Sequence, residues 1–353
     1  MLALIINPGS TSTKIAVYQD RKQIFIKTLR HLPEELKPYP TIASQFEFRK
    51  NIILSELKEA NINIADFQII MGRGGLCKPI PSGVYEVNEA LKNDLKLGVM
   101  GQHASNLGGL IADDIAKGIP NAKAYIADPV VVDELDDIAR ISGLKEIKRV
   151  SIFHALNQKI IAKKYATEIN RPYESLSIIV AHLGGGVSVG IHKNGRVVDT
   201  NNGLLGEGPF TPERSGGLPA MPLVELCFSG DYSKDEILKL IAGKGGFASY
   251  FGTNDAREVE EMSKTDPKAK LIFDAFIYQT TKEIGAMATV VAGKVDAILL
   301  TGGMAYSKYV VEEITKHVSF ISKVKAYPGE DEMEALAENA FGLLDGSIEA
   351  KNY

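Results

Sequence analysis

Cysteine is scarce in this 353-residue chain: there are two, Cys77 and Cys227. They lack the C-x-x-C spacing of a zinc site and are too few for a disulfide framework, so they read as ordinary thiols of a reducing compartment. An excess of one charge is also missing. Forty Lys and Arg against 44 Asp and Glu leave a formal charge of −4, which gives no electrostatic footprint for nucleic acid or a membrane surface. No apolar run reaches the ~18 residues that a membrane span needs. Met1 to Ile6 is too short for a signal-peptide core and runs straight into a polar turn, so the expected location is cytoplasmic. What is present is ordinary for a folded chain, 45% hydrophobic and 24% charged residues, with length for about two domains.

The stretch Leu176 to Leu218 organises the rest. The apolar run Ile178 to Ala181 ends at His182, followed by Gly184-Gly185-Gly186 and a second apolar run, Val187 to Ile191. This reads as strand, tight turn, strand. Without side chains, the turn's N–H groups can close around an anion such as phosphate. An Asn194-Gly195 hairpin then leads to a third strand, Val197 to Asp199. The N-terminus repeats the plan: Leu2 to Ile6, a polar turn from Asn7 to Thr13 with Ser10 and Ser12, then Lys14 to Tyr18 and Gln23 to Ile26. Such repetition implies a duplicated α/β domain with the two turns facing each other across a cleft. A buried strand, Val295 to Thr301, running into Gly302-Gly303-Met304-Ala305 before a helix from Tyr306, adds a Gly-Gly turn and suggests a bound nucleotide.

Candidate side chains lie at the ends of these runs. Arg73 closes the strand 66–72 and precedes Gly74-Gly75; a guanidinium placed there can pair bidentately with a carboxylate or phosphate. Asp128 follows the strand Ala124 to Ala127, where ligands of open α/β sheets collect, or serves as a turn residue or the N-cap of a helix in the 130s. His154 opens a long helix, and Arg214 sits in an irregular Gly/Pro loop of the kind that is often functional. Asn254 to Arg257 caps another helix, Lys270 to Ala292 is a long core helix, and Gly329-Glu330-Asp331-Glu332 precede the last one.

NPGSTSTK near the N-terminus, HLGGG at 182–186, TNDAR at 253–257 and LTGG at 300–303 resemble the acetate and butyrate kinases of the actin, sugar kinase and heat-shock ATPase superfamily. HLGGGVSVG followed by GEGPFTPERSGG looks like the butyrate branch. The resemblance covers nearly the whole chain and implies duplicated actin-like (ribonuclease H-like) ATPase domains, residues 1–148 plus 330–353 on the acceptor and metal side and 149–329 on the nucleotide side. It gives Arg73 to the substrate, Arg214 and His154 to the transition state, and Asp128 to an acidic role near the acceptor. Asn7 and Glu332 go to magnesium, mostly through water, with Glu330 and Asp331 adjacent rivals. Ser10, Ser12, Lys14 and His182 with Gly184 to Gly186 go to phosphates, and Asp255, Ala256 and Arg257 with Gly302 to Tyr306 to the adenosine of ATP or ADP. Homo-oligomers, usually dimers, are expected.

The chemistry agrees. Phosphoryl transfer needs positioning and neutralisation of spread charge. An aliphatic acid titrates roughly like Glu, near 4.3, so it is already ionised and needs no general base. Arg73 and Arg214, with His154 and His182 as further donors, suit a short-chain fatty acid acceptor giving an acyl phosphate. A hydroxyl acceptor would require a positioned base, for which Asp128 is the candidate, and would waste the arginines. A non-catalytic nucleotide switch would normally carry further domains. Gly75 stands where the acetate-preferring branch commonly has valine, which suggests a roomier acyl slot, unless Gly74 and Gly75 only shape the turn and the slot is formed elsewhere, with Phe153 as one candidate.

Overall fold

Short runs separated by polar or glycine turns build two β-meanders, one in each unit. The computed structural model describes residues 1–353 and divides into Met1–Val132 with Asp331–Tyr353, and Asp133–Glu330.

In the first unit, β1 (Leu2–Pro8), β2 (Ser12–Gln19) and β3 (Lys22–Arg30) pair antiparallel in succession. β4 (Ile69–Arg73) runs parallel to β1, and β6 (Lys123–Ala127) parallel to β4, with the short β5 (Val84–Glu86) antiparallel beyond it. β1 and β4 are buried almost throughout, which is why they read as continuous apolar runs and not as alternation. Helices Asn106–Lys117 and Glu332–Leu344 pack on them. The register aligns Ile6 with Gly72 and Arg73 with Ala127. Asn7, Arg73 and Asp128 therefore arrive together at the carboxyl ends of three neighbouring parallel strands.

The second unit repeats this order. β7 (Ser177–Leu183), β8 (Val187–Lys193) and β9 (Arg196–Thr200) form the meander. β10 (Ala297–Gly302) runs parallel to β7, and β11 (Val324–Pro328) parallel to β10. The sheet orders β3-β2-β1-β4-β6 and β9-β8-β7-β10-β11 correspond strand for strand. Even an irregularity recurs, a register shift at Val17/Tyr18 in β2 and at Ile191/His192 in β8. The long helix Pro267–Val290 buries Phe273, Phe276, Ile284 and Met287 against this sheet.

Two expectations need correction. No helix forms in the 130s; the segment holds only a 3-10 turn, Asp137–Arg140. The boundary also falls earlier than 148, because residues 133–149 are tied to the second unit. Asp136 N–H donates to the Val198 carbonyl at 2.9 Å, Lys159 Nζ meets Glu134 at 2.6 Å, and Arg149 pairs with Asp199 at 2.9 Å.

Candidate active site

Three side chains of the first unit close on one another. Arg73 Nη1 donates to Asn7 Oδ1 at 3.2 Å, Arg73 Nη2 meets Glu332 Oε1 at 3.0 Å, and Asn7 Nδ2 donates to Glu332 Oε2 at 2.7 Å. Glu332 is the first residue of the last helix, where the helix dipole favours a carboxylate. Its carboxylate thus bridges Asn7 and Arg73. Asp331 turns the chain with φ 44°, and the Glu330 carbonyl accepts from Asn157 Nδ2. Asp128 is buried, with φ 37°; its Oδ1 accepts from Ser82 Oγ at 2.7 Å and Gly83 N–H at 2.8 Å. It holds the turn at 82–83 and caps no helix.

The polar turn between β1 and β2 is held from behind by a residue that sequence reading passed over. Arg49, fully buried, donates to the carbonyls of Gly9, Ser10 and Ser12, to Thr13 Oγ1 and to Gln45 Oε1. Burial pulls its pKa down to about 10, so it remains a cation under the turn that carries Ser10, with Ser12 and Lys14 at the start of β2. A signal existed: Phe46, Ile53, Leu57 and Ala60 recur at helical spacing, and position 49 completes that face.

In the second unit the three-glycine turn closes with Gly184 N–H donating to the Gly186 carbonyl at 3.0 Å. A Cβ at 186 would fall inside the Arg214 guanidinium, so the missing side chain is what admits the arginine. Arg214 Nη1 donates to the Gly203 carbonyl, and burial lowers its pKa. Thr211 Oγ1 donates to the Gly185 carbonyl at 2.6 Å and accepts the Arg214 N–H at 3.1 Å, which bolts the arginine loop to the turn. His154, at the cap position of helix Ala155–Glu168, stacks on His182 with ring centroids 3.8 Å apart and 16° between planes.

Beside the turn lies a cavity of about 760 Å³, within the usual size of a ligand pocket. Gly184, Gly185, Asp255, Ala256, Arg257, Gly303, Met304 and Tyr306 line it, so three segments far apart in sequence meet there. Gly302 and Ala305 flank the lining residues without facing the cavity. Pro212, Glu260, Phe273 and Ser307 also line it; nothing in their local spacing marked them.

Gly75 does not wall an open slot. A Cβ there would come within 2.5 Å of Asn106 Cα and 2.8 Å of its backbone nitrogen, and one at Gly74 within 2.6 Å of Pro129 Cβ. Gly75 lets the strand end pack against the start of helix Asn106–Lys117, and Gly74 lets it pass Pro129.

Comparison with known proteins fits this architecture. Residues 143–332 match the acetokinase family. The chain is 58% identical to butyrate kinase 2 of Clostridium acetobutylicum over 351 residues, 99% of this chain and 98% of that one. It is 57% identical to butyrate kinase 1 of the same organism, covering 99% of each. Among solved structures, Porphyromonas gingivalis acetate kinase superposes with TM-score 0.80 at 19% identity, covering 97% of this chain and 99% of that one. Entamoeba histolytica acetate kinase gives 0.77 at 18%, covering 96% and 98%. The repeated sheets, the glycine turn against its arginine and the full-length identity together place the chain in the acetokinase family, beside its butyrate kinases.

Proposed function

We propose that this protein is an ATP-dependent kinase of short-chain fatty acids that converts butyrate to butyryl phosphate, and makes ATP in the reverse direction. The observation that carries it is the pair of preorganised guanidiniums, Arg73 beside Asn7 and Glu332, and Arg214 in the space above Gly186. Identity of 57–58% to butyrate kinases supports the choice of acid. The first unit supplies the acceptor groups: Arg73 uses one N–H on each of two partners and keeps others for the acid's carboxylate. Asp128, occupied by Ser82 and Gly83, lends negative charge and turn geometry near the acceptor. The second unit supplies the nucleotide groups, with the adenosine in the cavity beside Asp255 to Arg257 and Tyr306, and phosphates toward the glycine turn and His182. Arg214 and His154 stabilise the charge that spreads over the transferring phosphoryl group. Ser10, from the turn above Arg49, and Ser12 and Lys14, from the start of β2, face phosphate.

Magnesium fits the residues present. It is commonly bound through one or two carboxylates plus substrate phosphates, keeping several waters, and does not require a full protein cage. Glu332 and Asn7 would hold it, largely through water, and it would neutralise phosphate oxygens.

A hydroxylamine-trapping assay with ATP and magnesium tests the reading. Acyl hydroxamate should form from butyrate, with smaller yields from acetate and none from glucose. Phosphorylation of glucose would move the protein to hydroxyl acceptors, and ATP turnover indifferent to any acid would remove the kinase assignment.

A further inference from the structure

A buried polar chain behind His154 determines which of its nitrogens carries hydrogen, and counting hydrogens along it gives the answer. Gln158 Nε2 lies 3.1 Å from the Ser188 carbonyl and 2.9 Å from Ser188 Oγ. A carbonyl only accepts, so that atom is the amide nitrogen, and Gln158 Oε1 accepts from His192 Nε2 at 3.1 Å. His192 Nδ1 then accepts the Tyr173 hydroxyl at 2.7 Å. Burial, with the Lys159 cation near, keeps the His192 pKa well below its ordinary value, so the ring stays neutral and the pattern holds.

Ser188 Oγ receives two hydrogens, from Gln158 and from the His154 backbone N–H at 3.2 Å. Both lone pairs of the hydroxyl are then in use. Its third contact, 2.8 Å to His154 Nδ1, carries the hydroxyl's own hydrogen. Three donors converging on Ser188 would instead bury an O–H with nothing to accept it, at a cost of about 1–3 kcal/mol. His182 is set the other way. Asn157 Nδ2 donates to the Glu330 carbonyl, so Asn157 Oδ1 faces His182 Nδ1 at 2.7 Å and that nitrogen holds the proton.

We propose that Ser188, backed by Gln158, His192 and Tyr173, is a positioning residue that fixes His154 as the Nε2–H tautomer, so that its outer nitrogen donates while that of the stacked His182 accepts. The proposal rests on the reading of His154 as a donor to the transferring phosphoryl group. A histidine held in the wrong tautomer loses its function even when its position is kept.

The chain has six histidines, few enough for ¹⁵N-histidine labelling, with His154→Gln and His182→Gln assigning the two rings by difference. At neutral pH the bare nitrogen should be Nδ1 in His154 and Nε2 in His182. Ser188→Ala should mix the His154 tautomers and lower kcat on the order of ten- to a hundredfold, the scale on which partners behind a functional histidine act. KM for ATP and butyrate should stay nearly unchanged, and Ser188→Thr, which keeps the hydroxyl, should recover most of the rate. A protonated Nδ1 on His154 in the unaltered enzyme overturns the proposal whether or not Ser188→Ala folds. So does an unchanged kcat in Ser188→Ala when His154→Gln is inactive. Full activity in His154→Gln would instead remove the donor reading itself, while the spectrum still decides the tautomer.

Discussion

Arg73 and Arg214 are each held by protein partners, by opposite means. Arg73 is held by a carboxylate, Glu332, and Arg214 by a carbonyl, Gly203, in surroundings that depress its pKa. Each replaced by Ala should lose about 10² to 10³ in kcat/KM, the usual effect of removing one preorganised donor, with circular dichroism unchanged. For Arg73→Ala the KM for butyrate should rise; a rise confined to ATP would take the acceptor role away from it. Glu332→Gln keeps the side chain's size but removes its charge and one of its two acceptors, so the magnesium concentration for half-maximal rate should rise. An unaltered magnesium requirement would exclude Glu332 from that role. At His31 the expected effect is on stability. Burial, then the neighbouring Arg49 cation, lowers its pKa from 6.5 to about 4. Above about 6.5 both folded and unfolded states hold it neutral; as pH falls toward 4 the unfolded chain takes up a proton that the folded one refuses, and stability drops by up to about 3 kcal/mol. Urea midpoints at roughly pH 7 and pH 4.5 should converge in His31→Gln relative to the parent; an equal drop in both would place the acid sensitivity elsewhere.

Elements were legible where local pattern and tertiary demand agree. The six meander strands follow the apolar runs, and Asp255, in the stretch expected to cap a helix, accepts the Arg257 N–H. The 130s helix was misread because Asp133 to Arg149 spends its charges on ion pairs within the second unit and not on a helical face. Gly75 was legible as a glycine that matters, but its neighbour, the backbone of Asn106, is distant in sequence. Gly75→Val should therefore cost stability, about 2 kcal/mol or more by overpacking, and leave the ratio of butyrate to acetate activity as it was. A selective loss of butyrate activity in a folded variant would restore the slot reading. Gly186→Ala should behave differently. It displaces the Arg214 guanidinium, so kcat should fall far more than the melting temperature.

For the whole molecule, the long helix Pro267–Val290 turns Phe273, Phe276, Ile284 and Met287 into its own core, as its apolar spacing led one to expect. The helix Ala220–Phe228 has no buried residue, although Met221, Val224 and Phe228 are apolar and exposed. Such faces on a chain without a membrane-spanning helix mark association surfaces. Assembly of copies, if it uses this face, predicts that Val224→Glu with Phe228→Glu lowers the sedimentation coefficient toward that of a single chain; an unchanged coefficient would exclude the face.

Much of this protein was determined locally. The duplicated strand-turn-strand plan, the glycine turns and the arginines at their edges are written in runs of fewer than ten residues, because strand burial and turn conformation are set by near neighbours. The tertiary structure decided what depends on contacts between distant segments. It brought Glu332 to Asn7 and Arg73, and it placed Arg49 beneath the turn between β1 and β2. It also gave His154 and His182 opposite hydrogens through Ser188 and Asn157. A hydrogen bond depends on a partner's position to within a few tenths of an ångström, and that information does not exist until the chain has folded.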